Sequence, residues 1–135
     1  MPPLTRWYVK SALLYLIAAF VLGVLLAARP VVTLPNFLAA SGPVYFHLLM
    51  VGWVTELIFG IAFWLFPKFA KERPRGSEQL GWATYALLNA GLLLRVVAEP
   101  ANSLQPGTAW GWLLLVSAVL QWLAGLGFVA NTWPR

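Results

Sequence analysis

The chain has no cysteine, and its four acidic residues are all glutamates, so aspartate is missing as well. It has one histidine, two methionines, and charged side chains at only 10% of its 135 positions. Each scarcity excludes something. Without cysteine there is neither a disulfide framework nor a thiolate metal site. A lone histidine with no Cys or Asp elsewhere cannot assemble the roughly four donors that zinc or copper wants. So little charge beside 61% hydrophobic residues cannot cover the surface of a water-soluble domain. The net charge of +5 is confined to the chain ends and one loop, and it forms no contiguous basic surface for nucleic acid. The composition is that of an integral membrane protein.

What is present is apolar length. At about 20 residues per span the chain accommodates four helices with short connections and no separate soluble domain. The hydropathy and the breakers place them at about 8–28, 44–66, 80–99 and 110–130. Pro30, Pro35, Gly42 and Pro43 make 29–43 an irregular loop that lies on the membrane surface or folds back over the bundle. Ser41 or Gly42 caps the second helix, with Pro43 in its first turn. Pro67 and the basic run Lys68, Lys71, Arg73 and Arg75 follow it, and Pro100 stops the third helix.

Orientation follows from the basic residues beside the spans. Arg6, Lys10, Lys68, Lys71, Arg73, Arg75 and Arg135 fall on one side, whereas the opposite loops hold only Arg29. The expectation is an all-α, integral membrane four-helix up-down-up-down bundle, a single domain over 1–135. Both termini would be cytoplasmic, in the inner membrane of a bacterium or archaeon.

Polar residues at membrane depth are the candidate sites. His47 lies near the outer end of the second helix. Arg95 reaches the same depth on the third, with Glu99 one turn further out. Near the midplane, Glu56, Asn89 and Gln121 each offer one strong hydrogen-bonding group, with Thr55 and Ser117 nearby. Gly52 and Gly60 share the Glu56 face, and Gly125 lies one turn beyond Gln121, where small residues allow close backbones. This layer is interhelical glue with Glu56 protonated, or part of a proton route. At 100° per residue, Glu56 faces away from His47, so the two cannot share a small site. A histidine on an apolar face suits haem, whose porphyrin already supplies four nitrogens, and an arginine at that depth suits a propionate. Otherwise His47 bonds a neighbouring carbonyl and Arg95 pairs with Glu99.

His47, Gly52, Trp53, Gly60 and Pro67, standing as HLLMVGWVTELIFGIAFWLFP, resemble the second transmembrane helix of haem-copper oxidase and nitric oxide reductase catalytic subunits and of the related NnrS-type haem membrane proteins. The resemblance implies His47 as an axial ligand of haem b, the metal contact of the chain. It covers Tyr45 to Pro67. The family's full subunit needs several histidines for two haems and a second metal, and this chain has one, so it does not carry the family's reaction alone.

One imidazole per chain points to a homodimer in which two copies of His47 share a haem across a twofold axis. The alternative is one five-coordinate haem per chain, open to a diatomic gas. The expected role is electron transfer, or haem or gas binding, in contact with membrane lipid and with an electron-transfer partner of unknown identity. The second function class is a haem-free structural or assembly subunit of a larger membrane complex. Glu56 has no base, nucleophile or metal ligand near it in sequence, so an enzyme is not expected.

Overall fold

The computed structural model describes all residues from Met1 to Arg135 and contains helices and no strands. The chain folds as α1 (Pro3–Ala27), a short α2 (Asn36–Ala39), α3 (Gly42–Leu65), α4 (Glu78–Leu104) and α5 (Ala109–Thr132). All but α2 are long and apolar enough to cross a membrane. This is an integral membrane protein.

Two boundaries differ from expectation. Helix α1 begins at Pro3, not near Tyr8, because proline suits a first turn whose N–H groups have no partner, and Leu4 and Thr5 are already buried. Helix α4 runs through Pro100 to Leu104. Proline removes one hydrogen bond from a long helix, and here its ring is buried along with Ala98, so packing carries the helix across. The connection 29–43 folds back over the bundle through Leu38, which packs on Ala19, Leu22, Val44 and Leu48. Val31 and Val32 remain exposed.

Helices α1 and α3 meet through tyrosine on glycine. A Cβ at Gly60 would stand 2.5 Å from the Tyr8 Cβ, one at Gly52 2.7 Å from the Tyr15 Cβ, and one at Gly23 2.9 Å from the Tyr45 ring. The spacing is unequal on the two sides. Tyr8 and Tyr15 are seven residues apart, about 10.5 Å of α-helix, whereas Gly52 and Gly60 are eight apart, about 12 Å at the same rise.

Helix α3 absorbs the difference by widening into a π-helix over Leu48–Thr55. The Thr55 hydroxyl follows that geometry, donating to the Met50 carbonyl five residues back at 2.9 Å. Because the wider turn carries more residues, buried positions recur every fourth residue: Val44, Leu48, Gly52, Glu56 and Gly60. An α-helix would rotate such a series steadily off the core, by about 40° at each step of four.

The other interfaces use the same devices. Leu4 and Phe63 close over Gly81, and Ser117, Leu120 and Gln121 sit against Gly91. Gly127 meets the Thr84 hydroxyl, while Gly125 faces open space, contrary to the expectation that it brings backbones together. Phe59 of α3 stacks on Phe128 of α5 at 4.0 Å. Arg135 closes the end of α3 by donating to the carbonyls of Phe63, Phe66 and Pro67 at 2.9–3.1 Å. Burial, and then the charge of Arg75, hold its guanidinium below its ordinary pKa.

Gly60→Ala is expected to destabilise the bundle by about 1–3 kcal/mol through overpacking against Tyr8, and Gly125→Ala to leave it unchanged. Thermal melts of the two variants in one detergent, followed by circular dichroism, check both.

Candidate functional site

His47 stands in the first turns of α3, and the chain around it explains its pose. Pro43 lies in the opening turn, where its missing N–H costs nothing, and Ser41 precedes it, its hydroxyl donating to the Phe37 carbonyl at 2.8 Å. His47 Nδ1 lies 3.0 Å from the Pro43 carbonyl. A carbonyl only accepts, so Nδ1 carries the proton and Nε2 keeps its lone pair. The ring is half-buried. It lies between a buried side formed by Val44 and Leu48 and an exposed one formed by Phe46 and Met50.

The π segment revises the angular relation between His47 and Glu56. With about four residues per turn, the row of His47 continues through Val51, Thr55 and Phe59, all half-buried, and Glu56 occupies the adjoining row. The two side chains lie on neighbouring faces, not opposite ones. They remain on separate levels of the helix.

Arg95 belongs to the same layer as His47, since its neighbour Val96 packs on the cluster of Val44 and Leu48. Its Nε donates to Glu99 Oε2 at 2.7 Å, with 19% and 15% of the two side chains exposed. A propionate at Arg95 would therefore have to use its terminal nitrogens or displace Glu99.

For haem, the anchored imidazole with a free Nε2 is a suitable axial donor, since a hydrogen bond at the other ring nitrogen is what orients such ligands. No group of three His, Cys, Asp or Glu side chains comes together to hold a metal by itself. His47 lines neither the cavity in the basic loop nor the apolar groove along Leu57, Ile61 and Leu65. Its face is an open surface, so a macrocycle bound there would need a second protein surface to cover it.

The second candidate is at Glu56, which is 0% exposed. Asn89 donates to its Oε1 through Nδ2, which also reaches the Tyr85 carbonyl at 2.9 Å. Tyr15 donates to Asn89 Oδ1 at 2.7 Å. One turn away, the Ser11 and Tyr85 hydroxyls share a hydrogen bond at 2.5 Å, so two polar rungs join α1 to α4. Glu56 Oε2 has no partner. Without a cation beside it the carboxyl is neutral, since ionising it there would cost many kcal/mol.

The expected midplane layer therefore divides. Glu56 and Asn89 meet, but Gln121 does not join them. Its Nε2 donates to Ser117 Oγ at 3.2 Å, and Ser117 donates to the Gly91 carbonyl at 2.5 Å, which makes a separate clasp between α4 and α5. Equal depth did not amount to a common face. The partners not singled out in the sequence are Ser11, Tyr15 and Tyr85. The available signal was the row Thr5, Tyr8, Ala12, Tyr15, Ala19, Leu22 on α1, whose spacing of three and four marks one face.

Neither protein-family models, curated proteins nor solved structures match this chain. Fold and sites define its class as an α-helical membrane protein with four helices long enough to span, one buried carboxyl, and one half-buried histidine bonded to its own helix through Nδ1.

Asn89→Leu removes the sole donor to Glu56 and is expected to cost about 1–3 kcal/mol. Gln121→Leu, which breaks one longer hydrogen bond, is expected to cost about 0.6 kcal/mol, typical of such pairs in membranes. Unfolding in mixed micelles orders the two.

Proposed function

We propose that this chain is a membrane haem-b-binding protein in which His47 Nε2 is the axial ligand, acting in electron transfer or in haem or gas binding. The observation that carries this reading is the bond from Nδ1 to the Pro43 carbonyl, which leaves Nε2 as a lone-pair donor in an apolar setting. Haem bound there supplies a one-electron iron couple, or an iron centre for a small ligand. The chain's own part is to fix the imidazole tautomer, to set it on a helix face that also carries Met50 and Val51, and to offer Arg95 at the same depth.

The open face argues for a symmetric homodimer, with the partner subunit's His47 as the second ligand, over an enclosed five-coordinate site in one chain. Such a protein is a binding module and not a turnover enzyme. We infer an up-down-up-down topology with both termini cytoplasmic. Supporting it, Leu4 and Phe63 meet Gly81, Ser77 pairs with Asn131, and Arg135 caps α3, all at the end that carries the basic residues.

The second reading is a haem-free structural or assembly subunit, favoured by the Arg95–Glu99 pair and by the uncovered surface around His47. In that case the same face seats a partner's helix.

Protein purified from membranes supplied with haem is expected to show a Soret band that His47→Ala abolishes while circular dichroism stays helical. Colourless protein under those conditions, or a band that survives His47→Ala, rejects haem ligation at this residue.

A further inference from the structure

The polar groups around Glu56 are distributed unevenly along the bundle. Toward the end where α1 begins lie the hydroxyls of Ser11 and Tyr85 on the next rung, and then Tyr8 and Thr5, the last donating to the Gly60 carbonyl at 3.0 Å. Thr84 Oγ1, also on that side, is buried without a partner. Toward the His47 end the next layer is the apolar cluster of Ala19, Leu22, Val44 and Leu48, with Tyr15 and Tyr45 packed against it. The side toward the start of α1 is the richer in hydroxyls, and the other is mainly aliphatic.

The carboxyl itself is asymmetric. Oε1 accepts from Asn89, and Oε2 is buried with nothing to bond. Of the two oxygens, Oε2 is the one free to carry the proton. The π segment ends next to this residue, at Thr55. An unpaired acid oxygen near a column of hydroxyls is more than packing between helices requires.

We propose that Glu56, neutral at rest, is an exchangeable proton-binding site whose Oε2 proton passes to water at the end of the bundle where α1 begins and is replaced by one from the same water. The groups facing it are Tyr8 and Tyr15 from α1 and Tyr85 and Asn89 from α4, and α5 contributes no titratable side chain. No cation pairs with it, since the one ion pair of the chain is Arg95 with Glu99. The other glutamates are Glu72 and Glu78, in or next to the basic loop, and Glu99, so Glu56 is the neutral acid of the bundle. The site needs no haem, and it stands or falls separately from the His47 reading.

Infrared spectra of the full chain in lipid vesicles provide the test. At neutral pH a protonated-carboxyl C=O band is expected, absent from Glu56→Gln. In D2O it is expected to shift while the span amides stay protected. Tyr85→Phe is expected to slow that shift several-fold. Dicyclohexylcarbodiimide, an apolar reagent for protonated acids, is expected to modify the unaltered protein at Glu56, as mapped by mass spectrometry. This assigns the band even if Glu56→Gln does not fold. A carboxylate band alone, a C=O band that shifts only when the helix amides exchange, or labelling confined to the other glutamates overturns the proton site. An unchanged rate in Tyr85→Phe overturns the direction of access.

Discussion

A carboxyl group in the middle of a hydrocarbon layer has to be neutral and has to be hydrogen-bonded. The rest of the bundle is arranged around meeting that demand at Glu56. Asn89 supplies the donor, Tyr15 fixes the amide by donating to its oxygen, and the two helices that carry them are thereby held in register with α3. Because lipid tails are as apolar as the side chains they surround, helices gain little from hydrophobic burial against each other. Close backbone approach and a few polar bonds have to provide the association.

That requirement explains why α3 departs from α-helical geometry. Two glycines eight residues apart have to receive two tyrosines seven residues apart, while the carboxyl between those glycines has to face Asn89. A segment with more residues and less rise per turn meets both conditions, and it keeps Val44, Leu48, Gly52, Glu56 and Gly60 in one row. His47 is carried along by the same adjustment. It sits one residue before Leu48 in the sequence, so it lands on the flank of the buried row, where its Nδ1 reaches a carbonyl of its own helix.

The number of long apolar helices, their approximate limits and the shared levels of Glu56 with Asn89 and of His47 with Arg95 are legible in the sequence, because hydropathy and a fixed rise per residue decide them. Direction around the helix axis was less legible. An ideal α-helix puts Glu56 on the face opposite His47, and the π segment turns it to the adjoining one. Gln121 lay at the expected depth but bonded Ser117, since α5 packs on the side of α4 away from Glu56. Pro100 was a poor stop signal because burial of its ring outweighed one lost hydrogen bond. The hydroxyls of Ser11 and Tyr85 went unremarked because single-helix periodicity does not reveal which rows of two helices will touch.

The proposed role rests on an imidazole that is well prepared as a ligand and poorly enclosed by its own chain. One nitrogen is anchored, the other is free, and the surrounding face is a surface and not a cleft. Those facts agree if two identical faces close over one flat cofactor, each contributing its histidine. The most direct measurement is the haem-to-polypeptide ratio together with the particle mass, by native mass spectrometry of protein released from lipid nanodiscs. A dimer carrying one haem is the result predicted, whereas a haem-loaded monomer, or a dimer with no cofactor after haem-replete expression, contradicts the account.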